Sequence, residues 1–230
     1  MEATSDLLQE FSALSAKKQL ERIPQLIDEG DTGFALLRDF LLAQQDQEAT
    51  PVMGRICQVL TQNQTADNLL FMQREFPEGV VELQSARNID YQIIQDKLIE
   101  EEFLEADLLT IQKMCELAGE SAMKRKWLYF TEVERFPAED LLTLDRLWQV
   151  YSGGKFGFSV QRKLWNSLDK DFNALWEKIA WRDGRTFARY PKAFIWDLEK
   201  APLGHLPTTN QLRGSKMITA LFLHPAWTKA

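Results

Sequence analysis

Residues 136–154 read FPAEDLLTLDRLWQVYSGG, and this stretch predicts the fold class. Pro137 and the acidic pair Glu139 and Asp140 are typical of a first helical turn, where a missing N–H costs nothing and negative charge complements the helix dipole. Apolar residues then recur at helical spacing, at Leu141, Leu144, Leu147, Trp148 and Tyr151. Ser152-Gly153-Gly154 predicts the end of the helix.

The same spacing recurs from the start of the chain to about residue 75 and predicts five short amphipathic helices. Gly30, Pro51 and the Phe76-Pro77 pair divide them. No hairpin signal such as Asn-Gly separates alternating runs there, so strands are not expected. Residues 1–76 are therefore predicted to form a helical bundle, and residues 77–84 an ordered linker.

Residues 85–230 are predicted to form a second all-helical domain with long irregular loops. Asp90 is placed to cap a helix, and the next helix carries one apolar face made of Leu104, Leu108, Ile111 and Cys115. This hairpin has the length of one tetratricopeptide unit, but no second copy follows, so a repeat array is not predicted. One or two helices are expected within 161–179, an irregular stretch over 181–210, and a last helix beginning near Leu212. The fold class is all-α.

Composition narrows the class of protein further. The chain has 230 residues, of which 45% are hydrophobic and 27% charged, which excludes a disordered chain or a disulfide scaffold. The first residues lack the basic and apolar regions of a signal peptide, and no apolar run is long enough to span a membrane. Cys57 and Cys115 form no C-x-x-C motif. We expect a monomer in the reducing cytoplasm.

Charge and aromatic residues are unevenly distributed. Residues 1–84 contain 14 acidic and 6 basic residues, whereas residues 155–216 contain 12 basic and 6 acidic ones. All seven tryptophans, and 18 of the 25 aromatic residues, lie between Trp127 and Trp227. The carboxy-terminal part of the chain therefore combines rings with cations.

Enzymatic motifs are lacking, so the sequence predicts neither an enzyme nor a metal site. His205 and His224 are the only histidines and lie in proline-flanked segments, which disfavours a zinc site or a His-based triad. The segment Gly153-Gly154-Lys155-Phe156-Gly157 resembles a phosphate loop only in its glycines, since no predicted strand precedes it.

Three interpretations of the ring-rich and cation-rich span remain open. The rings are structural, or they stack on the bases of single-stranded nucleic acid, or they line a cleft for a flat, anionic and apolar ligand. A pI of about 5.0 disfavours binding to a polyanion, so no nucleic acid is expected. A tetrapyrrole fits the third interpretation, but composition does not separate it from a planar lipid or a flavin.

Several strings resemble the Genomes-Uncoupled-Four family, in its cyanobacterial form. They are Leu83-Gln84-Ser85-Ala86, Ile89-Asp90-Tyr91, Glu105-Ala106-Asp107 followed by Thr110, Asp145-Arg146-Leu147-Trp148, Ser152 to Gln161, Trp196-Asp197-Leu198 and Gly204-His205-Leu206-Pro207. The resemblance covers about residues 83–227. Residues 1–76 resemble the helical bundle that accompanies this domain in cyanobacterial members.

The resemblance implies a non-catalytic regulator of chlorophyll biosynthesis. Members bind protoporphyrin IX and magnesium protoporphyrin IX and stimulate magnesium chelatase, acting with its large porphyrin-binding subunit. By resemblance, Asn210 and Arg213 are expected to contact the porphyrin propionates, with Lys113 as a further cation. Partial association with photosynthetic membranes is a further expectation. The alternative is a helical protein-interaction scaffold whose aromatic residues are structural.

The residues expected at the cleft are grouped together, because the sequence does not distinguish residues of the cleft wall from residues of the hydrophobic core. They are Phe156, Phe158, Val160, Phe187, Tyr190, Phe194 and Trp196, with Trp181 as a further candidate. His205 is interpreted as part of a shape-fixing turn, with axial ligation of magnesium as the alternative.

Overall fold

The computed structural model describes residues 2–209 and 215–228, and within them the chain is helical with one small hairpin. The helices are α1 Glu2–Ala13, α2 Ala16–Asp28, α3 Asp31–Ala43, α4 Pro51–Gln62, α5 Ala66–Glu75, α6 Gln92–Ile99, α7 Phe103–Ala118, α8 Glu120–Arg125, α9 Phe130–Val133, α10 Ala138–Val150, α11 Phe158–Ser167, α12 Phe172–Lys178 and α13 Lys216–Phe222. A 3-10 helix covers Pro225–Thr228. The all-α prediction is confirmed.

Helices α1 to α5 form the predicted amino-terminal bundle. Ile23, Leu37 and Leu60 are fully excluded from solvent at the centre of the bundle, whereas Leu69 and Leu70 of α5 are exposed. The Thr50 hydroxyl accepts a hydrogen bond from the Met53 N–H at 3.3 Å, and Pro51 occupies the first helical turn, where its missing N–H costs nothing. Local capping and an amphipathic stripe together account for helix α4.

The bundle packs directly on the carboxy-terminal half through α4, which lies against α6 and α10. The Gln58 side chain donates hydrogen bonds of 2.9 Å to the carbonyls of both Leu98 and Tyr151. One continuous set of buried apolar residues runs through both halves. The division of the chain into two domains, with a linker at residues 77–84, remains a prediction.

The segment between α5 and α6 is fixed by side chains of α10. Asp140, at the start of α10, accepts hydrogen bonds from the Ser85 hydroxyl at 2.5 Å, the Ala86 N–H at 3.1 Å and the Tyr91 hydroxyl at 2.8 Å. Asp90 lies one residue before Tyr91, the N-cap residue of α6, and its carboxylate accepts a hydrogen bond from the Gln92 N–H at 2.9 Å.

Helix α7 buries another row more completely than the predicted face. Phe103, Ala106, Thr110 and Met114 point into the core. Of the predicted face, Cys115 is buried and Leu104 and Ile111 are half-buried, whereas Leu108 is 50% exposed. Two apolar rows lie side by side on α7, and periodicity alone does not rank them.

Two boundaries and one hairpin differ from the sequence predictions. Helix α11 begins at Phe158 rather than Gln161, and the last helix begins at Lys216 rather than near Leu212. Within the stretch predicted as irregular, Arg182–Asp183 pairs antiparallel with Thr186–Phe187. Gly184, with a φ of +55°, is the first residue of the two-residue turn Gly184-Arg185, and a glycine at this position was the available signal.

Over residues 2–209 and 215–228, none of the helices has the length and apolar character needed to span a membrane.

Candidate functional site

The rings of the carboxy-terminal half divide into a buried set and a surface set. Trp148, Trp181 and Phe222 are completely buried, whereas Tyr129 and Tyr190 expose 47% and 41% of their surface. Exposing an aromatic ring to water costs free energy, and an exposed ring is accessible to a ligand. Exposed rings that lie beside buried ones therefore mark the candidate site.

The structure places three of the predicted cleft residues in the core. Phe156 and Phe158 are fully buried and Val160 is 8% exposed. The Phe156 ring packs edge-on against Phe103, with the centroids 5.8 Å apart. Between the alternatives of wall and core, the structure therefore places these three residues in the core.

Three other predicted residues form one cluster, which we call the 190–196 ring cluster: Tyr190, Phe194 and Trp196. The Tyr190 ring lies edge-on to Phe194 at 5.7 Å and to Trp196 at 5.8 Å, and Phe194 to Trp196 is 6.0 Å. Phe194 is buried and rests on Trp181 at 6.0 Å, while Trp196 is half-buried. The cluster therefore presents two partly exposed rings on a buried base.

His205 fixes the base of this cluster. Its imidazole is fully buried, 5.4 Å from the Phe194 ring, and is bonded to the backbone through both nitrogens. Nδ1 donates to the Ile179 carbonyl at 2.6 Å, and Nε2 accepts from the Ile195 N–H at 2.9 Å. Burial lowers its pKa below the usual 6.5. With both nitrogens engaged, the structure favours the shape-fixing role over axial ligation.

Phe187 lies apart from the cluster contacts, on the second strand of the hairpin. Its half-buried ring meets Trp176 edge-on at 5.2 Å, and the Arg182 guanidinium lies 5.7 Å from the ring centroid. The structure thus uses Phe187 to attach the hairpin to α12.

Asp107 links the 190–196 ring cluster to α7. This fully buried carboxylate accepts hydrogen bonds from the Thr208 N–H at 2.5 Å and from the Thr208 hydroxyl at 2.7 Å, and Tyr190 acts on its charge as a neighbouring group. Burial raises its pKa from 3.8 to about 6, although these hydrogen bonds act in the opposite direction.

A second surface feature lies between α9 and α13, which we call the α9–α13 groove. Its volume is about 480 Å³, and its walls include Phe130, Thr219, Leu223 and His224. The Lys216 ammonium lies 5.7 Å from the centroid of the exposed Phe130 ring. An apolar hollow with a cation at its edge suits the same class of ligand as the ring cluster.

Rings and a cation also meet in the turn before α9. The Arg125 guanidinium lies 4.9 Å from the Trp127 ring and 4.4 Å from the Tyr129 ring, which are themselves in edge-on contact at 4.4 Å. Glu132 accepts two hydrogen bonds from Arg125, at 2.6 and 2.8 Å. This arrangement holds the exposed Tyr129 ring in place.

Of the three predicted polar contacts to the ligand, only Lys113 lies among the described residues. Lys113 is largely buried and forms an ion pair with Glu116 at 3.0 Å, so its charge is already partnered. Asn210 and Arg213 lie outside the described residues, and their roles remain predictions. The described chain reaches Thr209 on one side and resumes at Ser215, just before Lys216 of the α9–α13 groove.

The structure also shows residues that sequence reasoning missed. Asp107 was noted only as part of a family string, while Tyr129, Phe130 and Lys216 were not proposed for the site. The triplet of aromatic residues at 127, 129 and 130, directly after Lys124, Arg125 and Lys126, was an available signal. Among the described residues, no group of three His, Cys, Asp or Glu side chains is placed to hold a metal ion.

Two family models match the chain. Residues 84–225 match the model described as GUN4-like, and residues 2–77 match an ARM-like repeat domain described as GUN4-N terminal. The second description adds that the amino-terminal bundle is similar to an array of stacked helical repeats, whereas the prediction against a repeat array concerned the hairpin at residues 85–118.

Similar proteins span the whole chain. A Ycf53-like protein of Synechocystis sp. is 45% identical over 98% of this chain and 97% of its own length. A protein of Arabidopsis thaliana named tetrapyrrole-binding protein, chloroplastic, is 36% identical over 61% of this chain and 56% of its own.

Solved structures are similar over the carboxy-terminal part. The structure of GUN4 from Chlamydomonas reinhardtii has a TM-score of 0.60 and 41% identity, covering 64% of this chain and 95% of that one. The ligand-free structure of Arabidopsis thaliana GUN4 has a TM-score of 0.55 and 39% identity, covering 60% of this chain and 96% of that one.

Proposed function

Because the chain belongs to the GUN4 family, we propose that it binds a tetrapyrrole and acts as a regulator rather than an enzyme. The observation that carries the proposal is the 190–196 ring cluster, in which Tyr190 and Trp196 present exposed surface above the buried Phe194. The name of the Arabidopsis relative, a tetrapyrrole-binding protein, supports the same ligand class.

The chemistry of a tetrapyrrole matches what these residues offer. Its macrocycle is flat and apolar, and burying a few hundred Å² of it gives a gross gain on the order of 10 kcal/mol, which association entropy partly offsets. Its two propionates require cations or N–H donors. We assign these contacts to Asn210 and Arg213, with protoporphyrin IX and its magnesium complex as the ligands.

The proposal extends to the activity that the ligand serves. We assign the chain the role of stimulating magnesium chelatase in chlorophyll biosynthesis, with the large porphyrin-binding subunit of that enzyme as the partner. The competing role is an interaction scaffold with structural rings, which the burial of Trp148, Trp181 and Phe156 favours. The two roles differ in whether stimulation depends on the bound porphyrin.

Titration with deuteroporphyrin IX, a dicarboxylate porphyrin, tests the binding. The wild type is expected to show saturable quenching of tryptophan emission and a shift of the Soret band at micromolar ligand. Tyr190→Ala and Trp196→Ala are each expected to weaken binding about tenfold, or ~1.4 kcal/mol, because each removes one exposed ring face. Arg213→Ala is expected to lose a similar amount if it pairs with a propionate.

Two further variants complete the design. Leu70→Ala removes an exposed apolar side chain of the amino-terminal bundle and should leave the affinity unchanged. Phe130→Ala probes the α9–α13 groove. If this variant loses affinity while the Tyr190 and Trp196 variants do not, the ligand binds in that groove rather than at the ring cluster. The absence of saturable binding by the wild type would refute the proposal. Stimulation of chelatase that survives in binding-deficient variants would favour the scaffold.

A further inference from the structure

Arg125, the last residue of α8, joins two aromatic rings to one carboxylate. Its guanidinium carbon lies 4.9 Å from the centroid of the Trp127 ring and 4.4 Å from that of the Tyr129 ring. Its Nη2 donates to both carboxylate oxygens of Glu132, at 2.6 and 2.8 Å, and to the Trp127 carbonyl at 3.1 Å. Because a guanidinium is planar and carries several donors, it stacks on rings and binds a carboxylate at the same time, a combination that lysine does not offer.

The same carboxylate fixes the start of α9. Glu132 accepts a hydrogen bond of 2.8 Å from the N–H of Tyr129, the N-cap residue of that helix. The side chains of Arg125 and Glu132 are only 21% and 22% exposed, so solvent screens their ion pair incompletely. The next residue, Phe130, lines the α9–α13 groove. The orientation of Tyr129 and the entry of Phe130 into the groove therefore depend on this ion pair.

The stability of the fold does not account for this arrangement. Tyr129 is 47% exposed and Phe130 is 38% exposed, and exposed rings cost free energy in water. The Nε of Arg125 is buried and has no hydrogen-bond partner within residues 2–209 and 215–228, which is unfavourable as well. Local arrangements that lower stability in this way are typical of functional sites.

We propose that Arg125 is a positioning residue for the ligand, which holds Tyr129 and Phe130 in the orientation in which they contact a flat apolar molecule at the α9–α13 groove. Glu132 neutralises the guanidinium, so Arg125 acts through the rings rather than through its charge. A preformed wall reduces the conformational entropy that is lost on binding. This inference rests on the proposed function, because the orientation of the rings matters only if a ligand contacts them.

The first experiment separates positioning from a direct charge contact. The full chain and Arg125→Lys are titrated with deuteroporphyrin IX and with its dimethyl ester, which has the same macrocycle but no carboxylate. We expect Arg125→Lys to bind both compounds about fivefold more weakly, because lysine keeps the charge but loses the stacked and bidentate contacts. Lys124→Gln removes an exposed cation from the same helix and should bind both as the wild type does. A loss confined to the dicarboxylate would overturn the positioning role.

A double-mutant cycle tests whether Arg125 acts through Tyr129. Tyr129→Ala should weaken binding about tenfold, and in that background Arg125→Lys should cause no further loss, because the ring that it positions is absent. Equal losses from Arg125→Lys in the two backgrounds would show an effect that does not pass through the ring and would overturn the inference.

Amide hydrogen exchange of the unliganded proteins is the second measurement. Exchange of residues 129–133 should accelerate in Arg125→Lys and in Glu132→Gln, which weakens the same ion pair, but not in Lys124→Gln. Unchanged exchange and affinity in Arg125→Lys would overturn the role of Arg125. Wild-type affinity of Tyr129→Ala would also overturn it, while leaving the proposed function intact at the 190–196 ring cluster. Failure of the wild type to bind would overturn both proposals.

Discussion

A neutral imidazole carries one donor and one acceptor, and His205 uses both on backbone groups of different segments. One side chain thereby ties the end of α12 to the loop that carries the 190–196 ring cluster. The Trp181 indole N–H adds a bond of 2.8 Å to the His205 carbonyl.

Replacing His205 with Ala is expected to lower the free energy of unfolding by about 2 to 4 kcal/mol. The substitution leaves the Ile179 carbonyl and the Ile195 N–H buried without partners, and each such group costs about 1–3 kcal/mol. Urea unfolding followed by tryptophan emission measures the change. A loss below 0.5 kcal/mol, as for an ordinary surface substitution, would contradict this role.

The pH dependence of His205 has a defined sign. Its pKa is lowered in the folded state, so the unfolded state binds more protons below pH 6.5. Its contribution to stability is therefore complete above pH 6.5 and is lost as the pH falls toward its folded pKa. Asp107 acts in the opposite direction between pH 4 and 6, since its folded pKa is raised. Between pH 7.5 and pH 6, the free energy of unfolding should therefore decrease less in a His205→Gln variant than in the wild type.

At the scale of the elements, helix α10 anchors the segment that precedes α6 through hydrogen bonds. The stretch 136–154 predicted its limits closely, because its capping turn, apolar stripe and glycine end agree with one another. Asp140 was predicted only as a first-turn acid. The structure adds its three bonds to the segment Ser85–Tyr91, which no local pattern encodes.

Asp140→Ala is expected to lower the free energy of unfolding by about 3 kcal/mol, since three donors lose a buried acceptor. Asp140→Asn keeps one acceptor oxygen and should lose less. Chemical unfolding measures both variants, with Glu139→Ala as the control, because Glu139 is an exposed acid in the same turn. Equal stability of Asp140→Ala and Glu139→Ala would argue against the anchoring role.

At the scale of the whole molecule, the close approach of α4 and α10 joins the amino-terminal bundle to the carboxy-terminal half. A Cβ atom built on Gly54 would lie 2.3 Å from the Val150 carbonyl oxygen, far inside van der Waals contact. Gly54 is thus required by the distance between two backbones, even though it lies within a helix where glycine is unfavourable.

Gly54→Ala is expected to destabilise the protein by about 1–3 kcal/mol, because the two helices must separate, despite the gain in helix propensity. Differential scanning calorimetry should show a lower Tm, with Gln62→Ala on the exposed end of α4 as the control. A Tm equal to or above that of the wild type would show that the helices tolerate a methyl group at this position.

The sequence by itself determined the helical fold class, most helix limits, the concentration of rings in the second half and the resemblance to a family, because periodicity, capping residues and motifs are local. It did not determine which of the predicted rings lie at the surface. Phe156 and Tyr190 belong to the same residue class, yet one is enclosed by α7 and α10 while the other stands exposed on Phe194. Only the tertiary structure decided this, because burial depends on neighbours supplied by distant segments, such as Asp107 for Tyr190 and Thr208. The same reason explains why periodicity did not show that Leu108, on the apolar face of α7, would be 50% exposed.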